Sequence, residues 1–310
     1  MKLSTSTGDF KLGPVPIDEK IRLIGKSGFR HINLELTDDP GRLDGDDWEE
    51  KIERIRVALE ESGTDCVLAH AVCERYGTMP YEEIVEETRR DIVACERLGI
   101  PDLVVHPLYP AGLGAAGIYS FNRQFYADLY ATRPDTPVHL LVENMADTEF
   151  APAVFSSGEE LLDFLNYTGD PRLGACWDTA HGNLNRPPRD DCQYTSIKAL
   201  GDRLRALHVS DNFGKGLHWH SFPFNGSINF DQVLCALTEI GYKGAFNFEA
   251  SYIMRSSNFP PVRRKPWTHP TDPTFTPKLL EPSLELRMQA ERLLYSTGKY
   301  LLEQYGVFED

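Results

Sequence analysis

The sequence predicts an α/β protein, a single (β/α)8 TIM barrel, from three observations. Six apolar runs each end on a side chain able to bind a metal: CVLAH at His70, DLVVH at His106, HLLVE at Glu143, LGACWD at Asp178, LRALH at His208 and AFNFE at Glu249. Short segments rich in Val, Ile and Leu alternate with longer amphipathic stretches, the pattern of successive βα units. The strand-like segments number eight, and a barrel of eight parallel strands gathers its chemistry at the C-terminal ends of those strands.

Strands are expected at 2–5, 31–36, 65–71, 102–107, 139–144, 173–179, 205–210 and 245–250. Between them lie helix candidates at 18–25, 47–62, 81–98, 120–131, 157–167, 194–201 and 231–240, each with apolar residues spaced to bury one face. Gly28, Gly99 and Gly241 follow a helical stripe and precede a strand, where a residue with positive φ is wanted. The stretch 258–282 holds seven prolines and cannot be regular helix or strand. It reads as an irregular arm before a closing helix at 283–302, so that residues 1–310 form one barrel domain. Gly112-Leu-Gly-Ala-Ala-Gly117 satisfies the GxGxxG spacing, but Pro107 and Pro110 separate it from its strand. A dinucleotide turn must join strand and helix directly, so this segment is expected to be a flexible loop over the barrel mouth.

Composition narrows the partners. The chain is 41% hydrophobic and 25% charged over 310 residues, enough to bury one barrel core. The opening MKLSTSTGDF lacks an apolar signal core, and no apolar run approaches the ~20 residues of a membrane span. A cytoplasmic protein with no membrane partner is expected. Six scattered cysteines without a CxxC pair fit a reducing compartment, where the sequons at Asn166 and Asn225 carry no weight. A net charge of −15 argues against nucleic acid as a partner and is compatible with a cation-binding pocket. The Arg263-Arg264-Lys265 run reads as a solvated face, with contact to an anionic substrate or to a second subunit of a homo-oligomer as the alternative.

Glu143, Asp178, His208 and Glu249 combine three carboxylates and an imidazole, a donor set suited to a divalent cation: Mn²⁺ first, with Zn²⁺, Co²⁺ or Mg²⁺ as alternatives. Any one of them alone could cap a helix or face solvent. Four on four strand ends are harder to dismiss, because anions buried together without a cation are costly.

In their contexts LLVENM, ACWDTAHGNL, LHVSDN and FNFEAS, these residues resemble the xylose isomerase-like barrel superfamily, which includes sugar phosphate isomerases and epimerases, ketose 3-epimerases, inosose dehydratases and endonuclease IV. The GSINF segment resembles the start of that superfamily's seventh helix. The resemblance runs from Met1 to about Ala250. It implies that Glu143, Asp178, His208 and Glu249 form the metal quartet of the ketose epimerases, with the two glutamates on opposite sides of the sugar. It also implies that His181 and Glu149 contact substrate hydroxyls. Where those epimerases carry an Arg shortly after the metal-binding His, this chain reads DNFGKG and offers Lys215. Endonuclease IV has ligand positions matched by His70, His106, Glu143, Asp178, His181, His208, His220 and Glu249, with His218 where that family has Asp. For the single-metal branch, His70 and His106 are read as substrate contacts or structural residues, and His218 and His220, which could also form a second metal site or a loop packed by Trp219, as a substrate grip or a single accessory ligand. Arg255 is the candidate for a substrate phosphate.

The activity expected from these residues is a metal-dependent isomerase or epimerase of a sugar or sugar phosphate. Glu143 and Glu249 would transfer the proton through a metal-stabilised enediolate. Phe10, Trp177 and Trp219 are expected to give the sugar apolar faces. The alternatives are a lyase of the inosose or dehydroshikimate dehydratase kind, a zinc phosphodiesterase like endonuclease IV, or a barrel that binds without turnover.

Overall fold

The computed structural model describes residues 1–8, 15–36, 42–72, 79–146, 154–184, 190–214, 218–250, 267–279 and 281–309. Its eight strands are β1 Leu3–Ser6, β2 His31–Glu35, β3 Asp65–His70, β4 Asp102–Val105, β5 His139–Glu143, β6 Leu173–Asp178, β7 Leu204–His208 and β8 Phe246–Phe248. They lie in the order β7-β6-β5-β4-β3-β2-β1-β8, and every ladder is parallel. The ring closes between β7 and β8, where the Val209 N–H donates to Asn247 O at 2.8 Å and the Glu249 N–H donates to Val209 O at 3.1 Å. The expected strand 102–107 stops at Val105, since Pro107 has no N–H with which to extend a ladder.

The helices are α1 Ile17–Gly25, α2 Trp48–Ser62, α3 Tyr81–Leu98, α4 Ala115–Thr132, α5 Gly158–Thr168, α6 Thr179–Asn183, α7 Cys192–Leu200, α8 Phe230–Ile240 and α9 Leu284–Gln304. Gly99 and Gly241 end α3 and α8 at φ +70° and +67°, the left-handed conformation expected of them.

Two helix expectations need correction. α4 begins at Ala115, so the second half of Gly112-Leu-Gly-Ala-Ala-Gly117 is helical and the segment is not the loop over the mouth that its glycines suggested. The paired alanines favour helix enough to offset one glycine in the first turn. α6 has no counterpart among the expected helices: its five residues are too few for an apolar period to show.

Strand pleating sorts the side chains into two layers. Leu34 of β2, Ala69 of β3, Leu103 and Val105 of β4, Leu140 and Val142 of β5, Leu207 of β7 and Phe248 of β8 join the helices' apolar faces in one large cluster. Leu68, Val104, Leu141, Cys176 and Ala206 form a separate cluster that fills the barrel interior. Each of these five stands two residues before a strand-end donor, so the same pleat aims His70, His106, Glu143, Asp178 and His208 inward at the rim.

Residues 267–279 and 281–283 form no helix or strand, as the prolines required, while 258–266, including Arg263-Arg264-Lys265, lie outside the described residues. α9 then packs along the barrel wall, where a Cβ on Gly298 would come within 2.6 Å of Leu3 and Phe248. Among the described residues, no helix is long and apolar enough to cross a membrane. Among the described residues, Cys66, Cys95, Cys176, Cys192 and Cys235 form no disulfide.

Candidate metal centre and active site

Glu143 ends β5, Asp178 ends β6, His208 ends β7 and Glu249 follows β8. One donor atom from each lies within 4.8 Å of all the others. His208 Nδ1 is central: it stands 2.9 Å from Glu143 Oε1 and 3.2 Å from Glu249 Oε2. Glu143, Asp178 and His208 are at most 1% exposed, whereas the Glu249 side chain is 21% exposed and faces the opening.

Backbone and neighbouring side chains fix these positions. Asp178 Oδ1 accepts the His181 N–H at 2.7 Å and so caps α6. Its Oδ2 is buried without a hydrogen-bond partner among the described residues. Asn144 ties the ends of β5 and β6 together: Asn144 Oδ1 accepts the Asp178 N–H at 2.6 Å and Asn144 Nδ2 donates to Asp178 O at 3.0 Å. The Asn144 carbonyl meets His181 Nδ1 at 2.7 Å. GSINF has a local reason too. A Cβ on Gly226 would stand 2.2 Å from Asn212 O, Asp211 accepts the Gly226 and Ile228 N–H groups, and Asn229 caps α8. These contacts hold the loop that carries His218 and His220.

The other predicted histidines fall in two flanking groups. His70 Nε2 and His106 Nε2 face each other at 3.2 Å, and both approach Glu143 Oε2, at 3.4 and 2.8 Å. On the other side His218 Nε2 and His220 Nε2 lie 2.7 Å apart, with the His181 ring 4.5 Å from that of His218. Ring nitrogens turned toward each other with so few donors between them are arranged as ligands would be.

Burial alone would raise the carboxyls of Glu143 and Glu249. The imidazoles outweigh it, and both acids are held well below the ordinary carboxylate range, Glu143 by His208 and His106 and Glu249 by His220 and His208. Asp178 shifts the other way: burial raises it, and His181 and His220 offset only part of that rise. His218 is driven down to about 2 by burial and by His181 and His220, which keeps its ring neutral.

Three carboxylates and one imidazole, a buried oxygen of Asp178 with no donor, and the mutual 4.8 Å spacing fit a divalent cation held by Glu143, Asp178, His208 and Glu249.

Some expectations are not met or fall elsewhere. Trp177 is fully buried in the layer between barrel and helices, its indole N–H donating to Gln193 Oε1 at 2.9 Å, so it cannot face a substrate. Its position one residue before an inward Asp178 sends it outward by the period-2 rule. Glu149, Lys215, Arg255 and Phe10 lie outside the described residues. Two rim residues were missed. Asn144 sits in LLVENM beside Glu143, and Glu35 ends HINLE just as Glu143 ends HLLVE, so the same strand-end signal was available for both.

A family model described as xylose isomerase-like TIM barrel matches residues 21–262. The chain belongs to the xylose isomerase-like TIM barrel family. Among proteins of this kind, it is 24% identical over 283 residues to an uncharacterized protein, y4fM, of Sinorhizobium fredii, covering 78% of this chain and 86% of that one. It is 28% identical to a ketose 3-epimerase of Arthrobacter globiformis over 113 residues, 36% of this chain and 34% of the other. A probable endonuclease 4 of Staphylococcus carnosus is 26% identical over 198 residues, 59% of this chain and 65% of its own. The solved structure of an L-ribulose 3-epimerase superposes with a TM-score of 0.71 at 17% identity, covering 98% of this chain and 96% of the other, a likeness of fold. In this xylose isomerase-like barrel the quartet therefore sits at the rim where such folds keep their active sites.

Proposed function

We propose that this protein is a divalent-metal-dependent epimerase or isomerase of a sugar, with Glu143 and Glu249 as its acid and base. The observation that carries the reading is the placement of two ionised carboxylates, one at the end of β5 and one just after β8, 2.9 and 3.2 Å from His208 Nδ1. The partial matches to ketose 3-epimerases support it.

The quartet would hold the cation, which when bound supplies the charge that polarises a ketose carbonyl. Glu249, more open to the mouth, takes the proton from the carbon beside that carbonyl. Glu143, enclosed at the opposite side, returns one, and the roles exchange for the reverse reaction. His181, fixed by Asn144 O, and His220, 3.2 Å from the Glu249 carbonyl, stand at the edge of the quartet to orient hydroxyls. The buried rim limits water at the reacting carbon. Delivery to the opposite face gives epimerisation, and delivery to the same face of an adjacent carbon gives aldose and ketose exchange.

The test is incubation of manganese-loaded protein with a ketose panel in D₂O. Chromatography should reveal a second sugar and mass spectrometry one solvent deuteron on it. Turnover without deuterium in the product, or no turnover across the panel, would remove this reading.

A second reading has its own observation. Besides the quartet, His181 with His218 and His220 form a further donor group within 4.8 Å, and His70 with His106 form another that shares Glu143 with the quartet. Three groups could take three ions and serve a phosphodiesterase, which the endonuclease match also supports. The charge of −15 favours the sugar reading. Nicking of plasmid at abasic sites, together with two or three zincs per chain, would favour the phosphodiesterase instead.

A further inference from the structure

Outside the quartet and the two histidine groups, a further carboxylate at the rim is buried among the described residues and has no role in the proton transfer. Glu35 ends β2 and is 8% exposed. Its neighbours Ile32, Leu34 and Leu36 join the helix-facing cluster, so the pleat turns Asn33 and Glu35 into the barrel. Glu35 Oε1 is buried with no hydrogen-bond partner among the described residues. It lies 3.7 Å from His70 Nδ1, a nitrogen already 2.9 Å from Ala71 O. Among the described residues Oε2 has only Ser6 Oγ, at 3.5 Å, and that hydroxyl accepts the Gly8 N–H at 3.0 Å. Gly8 presses close: a Cβ there would stand 2.9 Å from Glu35 Cγ.

A buried acceptor with no hydrogen bond among the described residues, and only the His70 imidazole at 3.7 Å to offset its charge, is costly, and native proteins rarely keep one that no ligand uses. The place of this one is informative. The His70 ring separates Glu35 from the quartet, with Nε2 at 3.4 Å from Glu143 Oε2 and its plane stacked on His208 at 5.4 Å. A sugar with its carbonyl end at the quartet would carry its later hydroxyls past the His70 edge toward Glu35.

We propose that Glu35 is a specificity-determining residue that accepts hydrogen bonds from hydroxyls at the far end of an open-chain, unphosphorylated polyhydroxy substrate, a role that rests on the sugar reading above. Hydroxyls satisfy both carboxylate oxygens. A phosphate ester in the same place would set a dianion against a buried anion, and like charges at low dielectric disfavour it strongly.

The test is titration calorimetry of the manganese-loaded protein with a ketohexose, its 6-deoxy analogue and its 6-phosphate, for wild type and Glu35→Gln, with metal content measured for both. Wild type is expected to bind the free ketohexose about tenfold or more tightly than either analogue, as for a hydrogen bond to a charged group. Glu35→Gln should weaken the free sugar about tenfold, narrow its advantage over the phosphate ester and keep its metal. In turnover the loss should fall on KM more than on kcat. Wild type that prefers the phosphate ester or binds none of the three overturns the inference, as does a variant with the same three affinities as wild type. Failure of the sugar-epimerase reading is a different result: sugars that bind without deuterium exchange leave the calorimetric ranking intact, and with it the role of Glu35 in binding.

Discussion

His208 Nδ1 lies 2.9 Å from Glu143 Oε1, joining the end of β7 to the end of β5 inside a rim where neither side chain is more than 1% exposed. The contact works in both directions. Burial alone would lower the His208 pKa, yet the Glu143 and Glu249 carboxylates around it push it well above the ordinary imidazole value. The imidazole in turn keeps Glu143 ionised against the same burial. Such a buried pair is weak evidence for stability, and its spacing is what the proposed metal site would need.

Replacing either acid should stop the chemistry and spare the fold. Glu143→Gln and Glu249→Gln each keep shape while losing a proton carrier, and positioned acid or base groups are worth about 10²–10⁴ in rate. Turnover of the best ketose should fall by about that factor in each, with the circular dichroism spectrum unchanged. Near-normal activity in either variant would remove that residue from the mechanism.

Metal removal should be visible without any substrate. A cation that binds the folded chain alone, at about a hundredfold above its Kd, adds about 2.7 kcal/mol of stability. Dialysis against a chelator should lower the thermal midpoint, and manganese or cobalt should restore it. Asp178→Asn should lose most of that restoration. A midpoint indifferent to chelator and metals would remove the cation from the quartet.

Away from the site, Glu291 of α9 gives the fold a pH dependence. It is 4% exposed, Thr5 Oγ1 donates to it at 2.9 Å, and burial raises its carboxyl from the ordinary 4.5 to about 7 despite that bond. An acid whose folded pKa is raised contributes most below the unfolded value, and that contribution is lost as pH rises from about 4.5 through about 7. The loss amounts to about 3 kcal/mol. Glu291→Gln keeps the acceptor and cannot ionise, so urea denaturation should show it more stable than wild type at pH 8, with the gap closing toward pH 5. An equal gap at both pH values would show that Glu291 titrates alike in the folded and unfolded chain, so that burial does not raise its pKa.

Gly158 opens α5 where that helix meets α7, and a Cβ there would stand 2.2 Å from the Ser196 carbonyl oxygen. Backbone cannot swing aside as a side chain can. Gly158→Ala should cost about 1–3 kcal/mol, the usual range for overpacking, read as a lower urea midpoint at unchanged slope. An unshifted midpoint would mean that the two helices can separate freely.

Much of the barrel and its rim was legible in the sequence because strand residues alternate between two faces. Once HLLVE and LRALH are strands buried on both sides, the last residue of each must point the same way as the residue two before it, and the quartet follows from counting. The same rule, applied to every strand, would have found Glu35 and turned Trp177 outward. Three matters depended on the folded chain. The five residues of α6 form because Asp178 caps them, a local bond with no period to announce it. The Asn144 clamp on β6 and the backing of Gly226 against Asn212 join residues far apart or close a loop, and neither has a spacing that can be counted. Distances across the barrel, and with them the raised and lowered pKa values, come from strands that are neighbours in space and distant in the chain. Sequence therefore determined which side chains enter the barrel and at which end. Only tertiary structure decided which of them meet, because contact between strands depends on ring closure, and no single segment contains that information.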